Sequence, residues 1–251
     1  MSFEIVTVPC RADNYAFLVH GNGKTALVDV PEAAPIAAEL EARGWTLDEI
    51  WITHHHDDHI SGVAELREGA LVRGASADAQ RLPPLDVAHS DGDQFDFAGS
   101  EVSVMDVSGH TIGHVAFYMP DATAAFTADS LMALGCGRVF EGTFPQMWAS
   151  LSKLAALPPE TIICSGHEYT AANGRFAITI EPDNAALQDR IARIAATRDA
   201  GEPTVPSLLS EELATNPFLR AGLSSVKSAL SMSDATDEDV FAEIRKRKDS
   251  F

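Results

Sequence analysis

The chain has 251 residues, enough for one large domain or a main domain with an appendage, and its 45% hydrophobic content supplies a core. Its 37 acidic and 18 basic side chains give a formal charge of -19, which repels phosphate backbones and anionic headgroups and excludes nucleic acid and membranes as expected partners. Cys10, Cys136 and Cys164 lie far apart without paired spacing and read as free thiols of a reducing compartment. With no basic-then-apolar start and no run of membrane-span length, a cytoplasmic protein is expected.

In chain order, Phe3 to Val8, Tyr15 to His20 and Thr25 to Asp29 read as strands, the last two joined by the turn Gly21-Asn22-Gly23-Lys24. Pro31 suits the first turn of a helix, and Ala34 to Ala42 is a helical run closed by Gly44. Glu49 to Ile52 is a short buried strand, and Ser61-Gly62 turns into a helix at Val63. Leu71-Val72 is a further strand. Gln94 to Ala98 and Glu101 to Val107 form a hairpin, and Val115 to Met119 and Ala124 to Thr127 are two more strands. Phe144 to Leu157 carries a helical pattern, and Thr161 to Cys164 is a strand. From about Ala171 the character changes to helix, over Asp183 to Ala200 and again from Thr236, with Glu202 to Ser207 a loop and no convincing strand. The resulting division is a layered α/β part, residues 1–170, and a helical appendage, residues 171–251.

Between the strand at 49–52 and the helix at 63 stands Thr53-His54-His55-His56-Asp57-Asp58-His59, which holds four of the nine histidines. Imidazoles and carboxylates crowded so closely point to a divalent cation. If strand geometry persists briefly, His54 and His56 share a side and grip one ion, while Asp58 and His59, past the start of the turn, reach the cavity from another direction. His55 points away. Apolar strands end in ligand-type residues four times, at His54, His110, Asp129 and His167, which is what a site at one rim of a sheet requires.

These pieces build two cation sites: His54, His56 and His110 for one, Asp58, His59 and His167 for the other, with Asp129 bridging. Two divalent ions per chain are expected, zinc first, with iron and manganese compatible with the same donors. A water between two such ions loses a proton near neutral pH and becomes the nucleophile, so Asp58 and Asp129 are the catalytic carboxylates, and no Gly-x-Ser-x-Gly elbow is present. His114 is expected to orient a neighbour or pack internally, His20 and His89 to stand outside the chemistry, and Cys136 and Cys164 to be buried thiols.

The motif at 53–59 with His110, Asp129 and His167 resembles the metallo-β-lactamase superfamily, which implies an αββα sandwich with a binuclear site at its edge. Asp13-Asn14-Tyr15, Gly166-His167-Glu168-Tyr169-Thr170, Asn216-Pro217-Phe218-Leu219-Arg220 and Ile244-Arg245-Lys246-Arg247-Lys248-Asp249 are together similar to the glyoxalase II, or hydroxyacylglutathione hydrolase, family. This second resemblance spans nearly the whole chain. It implies hydrolysis of S-D-lactoylglutathione to D-lactate and glutathione, with Tyr169, Arg245 and Lys248 contacting the glutathione portion. Arg138 and Phe140 stand where the family often has Lys and Tyr: the charge is kept and the phenolic hydrogen bond is lost, which bears on affinity for the thiol portion rather than on reaction type.

The competing reading is a persulfide dioxygenase-like enzyme with one iron, and the appendage with its Arg245/Lys248 pair favours the hydrolase. The terminal basic run has its own alternative, a solvated helix end. A monomer acting on a small-molecule thioester is expected.

Overall fold

The structure, a computed structural model, describes residues 2–251. Two six-stranded sheets and a two-stranded ribbon are present among these residues. The first sheet runs in sequence order through β1 (Glu4–Cys10), β2 (Asn14–Gly21), β3 (Lys24–Val28), β4 (Glu49–Trp51), β5 (Leu71–Ala75) and β6 (Val87–His89). It begins as an antiparallel meander and becomes parallel from β3 onward. The helix α1 (Ala33–Arg43) makes the crossover between β3 and β4, as a parallel connection requires, and the short helices α2 (Asp57–Ile60) and α3 (Val63–Leu66) lie between β4 and β5. Gly44 ends it at φ 68, a left-handed conformation in which a Cβ would be strained. Pro31 lies outside this helix, contrary to expectation: its carbonyl accepts from Arg11 and Ser61, and Pro35 takes the first-turn place.

The second sheet contains β7 (Gln94–Phe97), β8 (Ser100–Asp106), β9 (Val115–Met119) and β10 (Ala124–Ala128), each paired antiparallel with the one before it. Next in the chain come β11 (Leu131–Met132) and β12 (Gly135–Cys136), which pair only with each other. β13 (Ile162–Ser165) then lies parallel to β10, and β14 (Ser207–Leu208) pairs with β13. The expectation of no strand after residue 171 is corrected by β14, whose two residues are too few to show a period.

Alternation along the strands builds the layers. In β2, Phe17 and Val19 point between the sheets, where they meet Trp51, Phe97, Phe117 and Phe126. Leu18 points outward with Leu27 and Ile50 against Ile36 and Leu40 of α1. The outer face of the second sheet is covered by α4 (Phe144–Ala155), which Thr143 starts with a capping box, and by helices of the C-terminal stretch. Those helices are α5 (Thr170–Ile180), α6 (Ala185–Asp199), α7 (Leu209–Thr215), α8 (Ser224–Ala229) and α9 (Asp237–Ser250). Met147, Leu151, Phe218, Phe241 and Ile244 share one apolar cluster, so the appendage and the sandwich are continuous in the core. The fold is the expected αββα sandwich followed by helices.

Candidate metal centre

The histidine motif leaves the sheet at its rim. Ladder pairing ends with Trp51, the Ile52 amide still reaches the Arg73 carbonyl at 2.9 Å, and residues 52–56 form a loop before the short helix (Asp57–Ile60) that carries Asp58 and His59. Strand geometry therefore does not persist through His54 and His56, yet the loop delivers both to one point: His54 Nε2 and His110 Nε2 lie 3.1 and 3.0 Å from His56 Nδ1. His55 turns away to Asp78, 2.8 Å from its Nδ1.

Asp129 follows β10, where the register shifts and Ala128 takes φ 40. A non-glycine residue in the left-handed region is strained, and here it aims the next side chain into the site. Asp129 Oδ2 stands 3.4 Å from His110 Nε2 and 3.3 Å from His167 Nε2, and Oδ1 stands 3.6 Å from His59 Nε2. Asp58 Oδ2 is 3.3 Å from His167 Nε2 and 3.9 Å from His59 Nε2. His54/His56/His110 and Asp58/His59/His167 each converge as a triad able to hold an ion, with the Asp129 carboxylate between them. A Cβ at Gly166 would lie 2.7 Å from Asp129 Oδ1 and from His59 Cε1, so a side chain there would enter the site.

The donor set fits two divalent cations. Metal–nitrogen arms of about 2.0–2.1 Å place neighbouring ligand atoms about 3.3 Å apart in a tetrahedral shell, close to the separations here. His59 Nε2 and Asp129 Oδ1 are buried and make no protein hydrogen bond, which leaves both for a ligand. Burial holds His54, His56 and His110 below the ordinary imidazole range, so they are neutral lone-pair donors. Burial pushes the same way at His59 and His167, but the carboxylates of Asp129 and Asp29 outweigh it at His59, and those of Asp129 and Asp58 raise His167 to about 10. This half of the site calls for positive charge, which a cation supplies as the protons leave.

Further side chains orient these candidate ligands, and of them only His114 is expected in that role from the sequence. Asp29, at φ 58 just after β3, accepts from the Thr53 amide, the Thr53 hydroxyl and His59 Nδ1 at 2.8, 2.8 and 2.7 Å. Asp29 also forms a close group with His54 and His59, but with both oxygens so engaged it orients rather than ligates. Asp13 lies 3.1 Å from His167 Nδ1, Asn14 donates to Asp58 Oδ2 at 3.1 Å, and the Arg138 carbonyl accepts from His110 Nδ1 at 2.7 Å. His114 behaves as expected: it stacks on His54 and its Nε2 accepts from the Asp129 amide at 3.3 Å. The one available signal was Asp29, a carboxylate closing an apolar strand as Asp129 does.

The centre opens into a cavity of about 470 Å³. All four proposed substrate contacts line it, but in different states. Tyr169 stacks on the His167 ring at 4.7 Å, and burial, with nearby carboxylates, raises its hydroxyl to about 12. The Arg138 guanidinium is mostly exposed, over the Phe140 ring, itself 5.3 Å from the His110 ring. Lys248 is half-buried beside Phe176. Arg245 is only 4% exposed: Nη1 donates to the Cys136 carbonyl at 2.9 Å, Nη2 faces Asp249 at 3.0 Å, and buried Nε makes no hydrogen bond. Of the basic run only Lys246 and Arg247 are a solvated face. The three cysteines are buried free thiols; His20 stacks on Trp45 and His89 on Phe95.

Residues 12–167 match the metallo-beta-lactamase superfamily, and residues 168–251 match the hydroxyacylglutathione hydrolase C-terminus. The chain is 63% identical to a hydroxyacylglutathione hydrolase of Ruegeria pomeroyi and 62% identical to one of Cereibacter sphaeroides, in each case over 100% of both chains. The crystal structure of the BLEG-1 B3 metallo-beta-lactamase superposes with a TM-score of 0.67 at 20% identity, over 86% of this chain and 99% of that one, a likeness of fold. The chain belongs to the metallo-beta-lactamase superfamily and, within it, to the hydroxyacylglutathione hydrolases.

Proposed function

We propose that this protein hydrolyses glutathione thioesters, S-D-lactoylglutathione foremost, giving D-lactate and glutathione. The observation that carries this reading is one cavity whose walls hold both the His/Asp centre and the cations Arg138, Arg245 and Lys248. An uncharged lactam or a phosphodiester would not need this division of labour, whereas a glutathione thioester is anionic at one end and reactive at the other. Family membership over the whole length supports the same conclusion.

Two divalent ions, zinc first and iron or manganese with the same donors, would be held by His54, His56, His110, Asp58, His59, His167 and Asp129, and would supply an activated water and a Lewis acid for the carbonyl. The chain's own groups do the rest. Asp58, whose hydrogen bond from His167 keeps it well below the usual carboxylate range, stays ionised, and Asn14 fixes its carboxylate toward the site, where it orients the attacking water as that water sheds its proton. A C–O bond forms, the C–S bond breaks, and the thiolate leaves to take up a proton. Tyr169, Arg138 and Lys248 hold the glutathione portion, with Arg245 behind them. The reaction consumes water and no oxygen, which sets it apart from the mononuclear iron alternative.

The division into a catalytic part, 1–170, and a helical substrate-binding part, 171–251, is supported by family matches that meet at residues 167 and 168. Among the described residues no helix is long and apolar enough to cross a membrane. The three buried free thiols support a reducing compartment, and we propose a cytoplasmic monomer. The test is incubation of the zinc-reloaded protein with S-D-lactoylglutathione while thioester loss and thiol release are followed. Equal amounts of both are expected; no loss of thioester overturns the reading.

A further inference from the structure

Beneath the cavity wall, away from the metal ligands, lies a polar cluster that the chemistry above does not use. Glu212 on α7 is fully buried, and its two oxygens face four donors. One oxygen accepts from Arg190 Nη2 and from Ser207 Oγ, the latter at 2.7 Å; the other accepts from the Leu134 amide at 2.8 Å and from Asn216 Nδ2 at 3.1 Å. Asn216, also fully buried, reaches the carbonyls of Met132 and Gly135 at 3.1 and 3.0 Å. Asn173 on α5 reaches the Ala133 carbonyl at 3.1 Å. The polar backbone of the turn between β11 and β12 is thus held by side chains from α5, α7 and the Asn216 corner.

A ribbon with two residues in each strand does not hold its own shape, and Leu134 at its turn sits at φ 56. A buried carboxylate and guanidinium are also a poor way to gain stability, because apolar residues of the same volume do as well or better. What these groups supply here is direction, since Glu212 fixes the Leu134 amide, Asn173 the Ala133 carbonyl and Asn216 the Met132 and Gly135 carbonyls. That ribbon leads into the substrate cavity: Met132, Cys136, Gly137 and Arg138 line it, and the Cys136 carbonyl holds Arg245. Glu212 and Asn216 do not line it.

We propose that Glu212 and Asn216 are positioning residues that set the ribbon 131–136, and through it Arg138 and Arg245, for binding the glutathione portion of the substrate. The inference rests on the thioester-hydrolase reading for the identity of the ligand. Asp129 precedes the ribbon and is placed by β10 and by its amide contact with His114, and of the orienting contacts only that of the Arg138 carbonyl with His110 comes from beside the ribbon, so the seven candidate ligands keep their places when the ribbon loosens.

The experiment uses the full-length, zinc-loaded protein and its Asn216→Ala and Glu212→Gln variants. For Asn216→Ala, KM for S-D-lactoylglutathione should rise roughly tenfold, as expected where buried hydrogen bonds that position a site are lost, with kcat within about threefold of the parent. Zinc per chain should be unchanged, and calorimetric affinity for glutathione itself should weaken with KM. Hydrogen exchange should speed up in peptides spanning 131–137, with β2, β10 and α4 as protected as before. Glu212→Gln keeps the shape and an acceptor for the Leu134 amide, and Glu211, 3.2 Å from Arg190 Nε, still partners the guanidinium, so this variant supplies the test if Asn216→Ala does not fold and should show the same pattern in smaller measure. A folded variant with the parent's KM and glutathione affinity overturns the proposal, as does loss of protection spread evenly over the chain. If the parent leaves the thioester intact, the functional reading fails instead, and glutathione affinity with local exchange still decides the role of these two residues.

Discussion

The Asp29 carboxylate and His59 Nδ1 are 2.7 Å apart, and this contact, 30 residues apart in the chain, fixes which imidazole nitrogen of His59 faces the metal centre. With Nδ1 donating to Asp29, Nε2 is left as the lone-pair donor toward the site. Asp29→Asn retains the shape and weakens the acceptor, so the Asp58/His59/His167 site should bind zinc about 10–100-fold more weakly. Zinc titration of dialysed protein against a chelator measures this, and an unchanged second binding constant would remove Asp29 from the site's support.

The Asp129 carboxylate lies between the two triads, its oxygens near His110 of one and near His59 and His167 of the other. Elemental analysis of the fully reloaded parent should approach two ions per chain, one for each triad. Asp129→Asn should lower turnover by roughly a hundredfold or more through loss of the shared charge, with circular dichroism unchanged. One ion per chain in the parent, or near-normal turnover in the variant, sinks the binuclear arrangement.

Hydrolysis and oxygenation differ in the source of the added oxygen atom. Thioester cleavage should proceed at the same rate under strict anaerobiosis. Product formation that tracks oxygen uptake would favour the mononuclear iron alternative.

Arg245 and Lys248 are three apart on α9, so both face the cavity. Their burial separates their effects. Lys248→Ala should raise KM by roughly 10-fold, in line with one charge-assisted hydrogen bond, while kcat and the melting temperature stay near the parent's. Arg245→Ala removes the donor to the Cys136 carbonyl as well, and should lower the melting temperature while raising KM. Added salt should weaken substrate binding in the parent and do less in Lys248→Ala. Equal salt dependence in the two would show that this ammonium does not meet the substrate.

Burial, with the neighbouring Arg245 and Arg175, holds the Lys248 ammonium below the ordinary lysine range. Its charge is therefore lost at a lower pH than that of an exposed lysine, and KM for the anionic substrate should rise with pH before that range is reached. Arginine stays protonated throughout, so Lys248→Arg should abolish the rise. A rise that survives in Lys248→Arg assigns the titration to another group.

The candidate metal ligands were legible in the sequence because metal chemistry narrows residue type and spacing together: four histidines in seven residues after an apolar strand, then His110, Asp129 and His167 after three more. The long amphipathic elements were legible for a related reason, since burial of one face repeats at a fixed period over many residues, as in α1, α4 and α9. Elements of two or three residues carry no period, and β6, β11, β12 and β14 were settled only by the partners that the sheets and helices brought to them. Pro31 and Pro35 are equally acceptable in a helix's first turn, and hydrogen bonds to the Pro31 carbonyl from distant Arg11 and Ser61 decided between them. The same holds around the centre. Asp13, Asn14 and Asp29 act on ligands 30 to 154 residues away in the chain, a relation of distance and angle that no local pattern encodes. In the basic run 245–248, four adjacent residues of like charge have three kinds of neighbourhood, because helix rotation buries Arg245, half-buries Lys248 and leaves Lys246 and Arg247 in water. Residue chemistry is local to the sequence, whereas desolvation and hydrogen-bond partnership belong to the packed chain.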